Sequence, residues 1–138
     1  RDQGQLDAGM KALERIPHKI WISAEPLAGP LDFKPYMNRI WGVIIGTNNN
    51  ADAIQAQPEW IASITRQCER AGICVFVKQI RTADTGRRLL TDPADEKFPR
   101  YMRIRELVWP LAGQPACRDH YRKQRGPHPG QPVHFETV

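Results

Sequence analysis

Three nearly continuous apolar runs constrain the fold of this chain more than any other feature. They read KIWIS at Lys19–Ser23, IWGVII at Ile40–Ile45 and ICVFV at Ile73–Val77. Their apolar residues do not alternate with polar ones, which is the pattern of strands covered on both faces in a parallel sheet. The sequence therefore predicts an α/β fold with about three parallel strands.

A helix pattern lies between the second and third runs, at Pro58–Gly72. Pro58 suits the first turn of a helix, Glu59 suits its positively polarised N-terminus, and Gly72 suits the C-terminal cap. One face of this helix collects the apolar and small residues Trp60, Ile61, Ile64, Cys68 and Ala71. Strand, helix and strand in this order predict one right-handed crossover.

The remaining segments are less regular. Asp2 and Gln5 have the spacing of a capping box, which predicts a short N-terminal helix that ends before Pro17. Prolines between the first two strands favour a loop with a short turn. The segment Phe98–Leu111 could hold one more strand or a short helix. We expect one domain over residues 1–111 and a poorly ordered, basic, Pro/Gly-rich tail over residues 112–138.

Composition sets the broad class. With 41% hydrophobic and 25% charged residues, the chain resembles a soluble globular protein. No apolar run approaches the roughly 20 residues that span a bilayer, and no signal peptide is recognisable, so we expect a cytoplasmic protein without membrane contact. Cys68, Cys74 and Cys117 form no CxxC pair. We expect reduced thiols, the first two in the core, and no metal site.

The formal charge of +5 permits contact with nucleic acid. The candidates for phosphate binding are Arg87, Arg88, Arg103 and Arg105. A solvated basic surface is the simpler interpretation of the same residues, and the composition favours it.

Four linked motifs resemble a known family. They are ISAEPLAGP from Ile22, VIIGTNNN from Val43, PEWIASITRQCERAG from Pro58 and VFVKQ from Val75. In order and spacing they are similar to the C-terminal part of a phage-associated family of radical-SAM-like proteins of unknown function, related to spore photoproduct lyase. The resemblance covers roughly residues 1–111. It implies that the three strands are part of an eight-stranded parallel α/β barrel.

The resemblance implies cofactors, but this chain lacks the residues that would hold them. A full-length family member would use S-adenosylmethionine and a 4Fe–4S cluster held by CxxxCxxC. This chain has no such motif, so we expect no cofactor in it. Where the family has a loop of the GGESG type, this chain has Gly46-Thr47-Asn48-Asn49-Asn50, which lacks the carboxylate.

Polar residues follow each predicted strand. Glu25 follows the first, Thr47 and Asn48 the second, and Lys78 and Gln79 the third. Because parallel strands present like ends at one edge of a sheet, we expect Glu25 and Lys78 to lie on the same edge, with Asn48 between or beside them. A carboxylate and an amine near each other could bind a polar substrate or exchange a proton, so Glu25 and Lys78 are the catalytic candidates and Thr47, Asn48 and Gln79 the substrate-binding candidates. The resemblance matches Glu25, Lys78 and Gln79 and favours this interpretation. A purely structural ion pair is the alternative.

Two classes of function follow. The chain could be a phage- or mobile-element-derived binding or inhibitory protein without chemistry of its own, which the missing cluster motif favours. It could instead be the substrate-side half of a radical-SAM-like enzyme that acts on a nucleic acid or nucleotide. Three strands of eight would leave free edges and an apolar face, so we expect a homodimer or a complex with another chain. The partner would cover Trp21, Trp41 or Phe76, unless the segment Phe98–Leu111 folds back to cover them.

Overall fold

The protein is described by a computed structural model that covers residues 2–48, 50, 52–81, 96 and 98–104. The main elements are α1 (Gln3–Ala12), β1 (Ile20–Ala24), β2 (Ile40–Gly46), α2 (Pro58–Ala71) and β3 (Cys74–Gln79). Two short 3-10 helices add Lys34–Arg39 and Arg100–Met102. The predicted domain boundary at residue 111 and the predicted tail, residues 112–138, lie outside the described residues.

The three strands form one sheet in the order β1-β2-β3, and both neighbouring pairs are parallel. The predicted α/β class with about three parallel strands is therefore confirmed. The strand bounds differ from the expected ones by one or two residues, chiefly at the carboxyl ends. Polar Lys78 and Gln79 belong to β3 itself, because backbone pairing with β2 continues beyond the apolar run.

The pairing is irregular at one place that matters for the site. Ile45 pairs with Val77 and Gly46 pairs with Gln79, so the register shifts between these two pairs, at Lys78. An extra residue of this kind is a β-bulge, which bends the strand and changes the direction of its side chains.

One face of the sheet carries the hydrophobic core. Val43, Ile45 and Val77 are fully buried on this face. They belong to the same cluster of buried residues as Ile61 and Ile64 of α2. The opposite face carries Ile44 and Phe76, which are half-buried and do not belong to that cluster. The sheet therefore has one well-covered face and one that the described residues cover less.

Both helices begin and end for reasons visible in the sequence. The predicted capping box of α1 is present, with the Gln5 backbone N–H donating to Asp2 Oδ1 at 2.9 Å. Helix α2 begins at Pro58 and ends before Gly72, whose φ of 66° is the left-handed conformation that glycine adopts without strain. Among the described residues, neither helix has the length and apolar content to cross a bilayer.

The loop between β1 and β2 is tied to α1. The Gln3 side chain accepts a 2.7 Å hydrogen bond from the Asp32 backbone N–H, and the Tyr36 hydroxyl donates to Asp7 Oδ1 at 2.8 Å.

The same loop also contacts the end of α1. The Arg39 guanidinium donates to the carbonyl oxygens of Met10 and Leu13 there. The short turn that we expected in this loop is the 3-10 helix Lys34–Arg39.

The cysteines follow the prediction in part. Cys68 is a buried cysteine on α2 that forms no disulfide, and Cys74 is buried in β3, so both lie in the interior as expected. Cys74 is disulfide-bonded, however, so the expectation of reduced thiols is wrong for this residue. Disulfide formation depends on the spatial distance between two Cα atoms, which sequence spacing does not give. Cys117 lies outside the described residues.

Candidate functional site at the carboxyl edge of the sheet

The carboxyl ends of β1 and β3 bring a carboxylate and an ammonium group together. Glu25 directly follows β1, and the Lys78 Nζ atom lies 3.3 Å from each of the two Glu25 carboxylate oxygens. The prediction that Glu25 and Lys78 share one edge is thus confirmed. The reason is the parallel direction of the strands, which places their like ends side by side.

Gln79 completes what we call the carboxyl-edge cluster, defined as Glu25, Lys78 and Gln79. The Gln79 Nε2 atom donates to Glu25 Oε1 at 2.7 Å, and Gln79 is only 2% exposed. The Lys78 side chain is 54% exposed and that of Glu25 is 24% exposed. Gln79 therefore holds the carboxylate from the interior, while Lys78 approaches it from the solvent side.

Gly46 makes this contact between non-adjacent strands possible. Strand β2 lies between β1 and β3, so the Glu25 side chain must pass over it to reach Gln79. A Cβ atom at position 46 would lie 2.6 Å from Glu25 Cδ, closer than nonbonded carbon atoms approach one another. In the sequence, Gly46 is recognisable only as the start of an altered loop, and its role in this contact is not. The available signal was a glycine at the end of a strand pattern, which often marks close approach by another group.

The bulge at Lys78 explains why two consecutive residues reach the same carboxylate. In a regular strand, neighbouring side chains point to opposite faces of the sheet. The register shift between Ile45 and Gly46 breaks this alternation next to Lys78, and both Lys78 and Gln79 bind Glu25.

The loop after β1 is also held at this edge. The Leu27 backbone N–H donates to the Gly46 carbonyl at 2.8 Å, and the Leu27 side chain is fully buried. The intervening Glu25–Pro26 peptide bond is cis. Glu25 is therefore fixed between the end of β1 and an anchored residue two positions later.

Thr47 and Asn48, which were predicted to bind substrate, lie at the same edge, directly after the central strand. Thr47 is buried, its hydroxyl accepts a hydrogen bond from the Arg81 backbone N–H, and its own N–H donates to the Gln79 carbonyl at 3.2 Å. Asn48 Oδ1 accepts from the Asn50 N–H at 2.9 Å. These contacts hold the loops beside the cluster, and contact with a substrate stays a prediction for both residues.

Of the predicted nucleic-acid-binding residues, only Arg103 is described. It is half-buried and precedes Ile104, whose carbonyl accepts a 2.9 Å hydrogen bond from the Val77 N–H. Arg103 therefore lies beside β3, next to the strand residue that precedes Lys78. Arg87, Arg88 and Arg105 lie outside the described residues.

The chemistry available at the edge is that of one carboxylate, one ammonium group and one amide. Such a set can bind a polar ligand. The carboxylate and the amine can also exchange a proton with a ligand that contacts them. Within the part of the chain that the structure describes, no three His, Cys, Asp or Glu side chains are grouped as a metal ion would require.

Comparison with known proteins identifies a matching family. The model of a family described as "Protein of unknown function (DUF5131)" matches residues 1–109. No curated protein and no solved structure matches the chain. The matched range includes every strand and helix described above.

Proposed function

The chain belongs to the DUF5131 family, and we propose that it is a binding protein built on part of a radical-SAM-like parallel barrel from a phage or mobile element. Three consecutive parallel strands, of which β2 and β3 are joined by the crossover helix α2, are compatible with an arc of such a barrel. The motif resemblance over roughly residues 1–111 supports the same relationship.

The observation that carries the proposed binding function is the bridge from Glu25 over Gly46 to Lys78 and Gln79. In parallel α/β folds, ligands bind at the carboxyl ends of the strands, where the loops vary and the backbone is rigid. Here the carboxylate is fixed on its buried side by Gln79, whereas more than half of the Lys78 side chain is exposed. A ligand would therefore meet Lys78 first, which favours a ligand with a carboxylate or phosphate group.

An ion pair of this kind does not block ligand binding. Partly exposed pairs contribute about 0–1 kcal/mol to stability, because water competes for both charges. An anionic ligand can thus exchange for Glu25 as a partner of Lys78 at small cost. Glu25 stays hydrogen-bonded to Gln79 during this exchange and keeps the edge in place.

The experiment is a titration of the full chain with ATP, followed by the chemical shifts of its backbone amides. We expect shift changes centred on Gly46, Lys78 and Gln79, which disappear in Lys78→Met. Lys34→Met is the matched control, because Lys34 is exposed on the 3-10 helix of the β1–β2 loop. Shift changes that persist in Lys78→Met, or that avoid this edge, would contradict the proposal.

A second candidate function is the substrate-side half of a radical-SAM-like enzyme acting on a nucleic acid or nucleotide. The position of Glu25 and Lys78 at the carboxyl edge favours it, since barrel enzymes hold their catalytic groups there. The residues of this chain do not fit the cluster that such an enzyme needs. CxxxCxxC is missing from the sequence, Cys68 is buried on a helix, and Cys74 is disulfide-bonded.

Iron–sulfur reconstitution separates the two functions. We expect anaerobic reconstitution of the chain, followed by iron and sulfide analysis, to give no stoichiometric cluster. A stoichiometric cluster would contradict both the burial of the cysteines and the binding-protein interpretation. A CxxxCxxC segment encoded next to this chain in the genome would favour the enzyme, with S-adenosylmethionine and the cluster supplied by that segment.

A further inference from the structure

Cys74 is buried on the face of the sheet opposite α2, which we call the second face. Along β3, Val75 and Val77 belong to the buried core cluster on the α2 side. Because side chains alternate along a strand, Cys74 and Phe76 point to the second face. Cys74 is 0% exposed although it does not belong to the core cluster, whereas Phe76 is half-buried. The burial of Cys74 is therefore a property of the second face.

An indole ring lies beside Cys74 on this face. Trp21, Gly42 and Cys74 occupy one row across the three strands. A Cβ atom built on Gly42 would lie 2.4 Å from Trp21 Cζ3, so the ring fills the place of a side chain at position 42. Neighbouring strands are about 4.8 Å apart, so the Trp21 ring comes within about one strand spacing of Cys74.

The partner of Cys74 follows from the cysteine count. Cys74 is disulfide-bonded. The sequence contains three cysteines, and Cys68 on α2 is buried and forms no disulfide. The other cysteine of this sequence is Cys117.

We propose that a disulfide between Cys74 and Cys117 fixes the C-terminal segment of the chain to the second face, and that reduction releases this segment. When the bond forms, the two thiols give up two protons and two electrons to a small disulfide such as oxidised glutathione, whose S–S bond breaks to yield two thiols. A dithiol such as dithiothreitol reverses the step and is itself oxidised to a disulfide. The link is independent of the proposed ligand binding, because Lys78 lies four residues further along β3, about 13 Å from Cys74.

The first test is a tryptic map of the full chain after equilibration with oxidised and reduced glutathione and alkylation of free thiols in denaturant. Trypsin places the three cysteines in separate peptides, residues 67–70, 71–78 and 106–118. We expect peptide 67–70 to be alkylated. Peptides 71–78 and 106–118 should appear as one species, two hydrogen masses lighter than their sum, in chains that migrate at 15.8 kDa without reductant. A map without this species, a link through 67–70, or a link between two chains would overturn the proposal.

Thermal unfolding measures what the link contributes. A cross-link from residue 74 to residue 117 restricts the unfolded chain, so dithiothreitol should lower the unfolding midpoint by at least about 5 °C. Cys117→Ser should abolish this response to reductant, whereas the matched control Cys68→Ala should keep it. A response that persists in Cys117→Ser would show that another bond is involved.

Limited proteolysis tests the release of the segment. Trypsin cleavage after Arg122, Lys123 and Arg125 should be at least about tenfold faster in the reduced chain than in the oxidised chain, because cleavage follows the population of the open form. Cys117→Ser should be cleaved at the fast rate with or without reductant. Equal rates in the oxidised and reduced wild-type chain would overturn the proposal, because the disulfide would then not hold the segment in place.

Discussion

The Glu25 carboxylate accepts a 2.7 Å hydrogen bond from the Gln79 carboxamide, although the two residues are 54 positions apart in the chain. The bond crosses the central strand of the sheet and connects its two outer strands. Any ligand that binds at this edge would meet a carboxylate whose position is set from the interior. The proposed site is therefore pre-organised by the fold.

Gly46→Ala should destabilise the protein by about 1–3 kcal/mol, the cost of leaving a buried polar group without its partner. The new methyl group would overlap Glu25 Cδ and displace the side chain, so that buried Gln79 loses its acceptor. Urea unfolding measures the effect. In a Glu25→Ala background the same substitution should cost markedly less, and equal costs in both backgrounds would show that the glycine is needed for another reason.

The two donors to Glu25 should differ in their contributions to stability. Gln79→Leu removes a hydrogen bond from a residue that is 2% exposed and should cost about 1 kcal/mol or more. Lys78→Met removes an exposed ion pair and should change the free energy of unfolding by less than about 1 kcal/mol. Denaturant midpoints of the two variants decide the order. A larger loss for Lys78→Met would mean that the ion pair is more shielded from water than its exposure indicates.

Two glycine-to-alanine substitutions should have opposite signs. Gly9→Ala should stabilise the protein by about 1 kcal/mol, because alanine favours the helical conformation and a Cβ atom meets nothing there. Gly72→Ala should destabilise by a similar amount, because its φ of 66° is strained for any residue with a Cβ atom. Thermal unfolding of both variants tests the pair. A destabilised Gly9→Ala would contradict the open space beside α1.

The contact between α1 and the β1–β2 loop should weaken at alkaline pH. The hydrogen bond to Asp7 raises the pKa of Tyr36 above its ordinary value of 10.0, with smaller contributions from burial and from the Asp7 charge. Because the pKa is raised in the folded state, the Tyr36–Asp7 hydrogen bond stabilises the fold fully below pH 10.0. This contribution is lost as the pH rises through the folded-state pKa. Titration of the Tyr36 ring by carbon NMR should show a lower pKa in Asp7→Ala than in the control Asp52→Ala. The same pKa in both variants would show that Asp7 is not the cause.

The sequence by itself determined the elements of the fold. Continuous apolar runs produce buried strands because their side chains are apolar on both faces, and Asp2, Pro58 and Gly72 set the ends of the helices through local capping. The shared edge of Glu25 and Lys78 was also predictable, because parallel strands connected by a crossover present like ends together. These properties depend on neighbours in the sequence or on one topological rule.

Only the tertiary structure decided how the edge is assembled. Glu25 passes over Gly46, and a bulge lets Lys78 and Gln79 reach the same carboxylate. Both features depend on residues more than 20 positions apart, as does the hydrogen bond from Val77 to Ile104 beside β3. The pairing state of Cys74 belongs to the same group. Such contacts depend on the relative positions of strands and on their register, and local side-chain chemistry does not specify distances between segments that meet only in the folded chain.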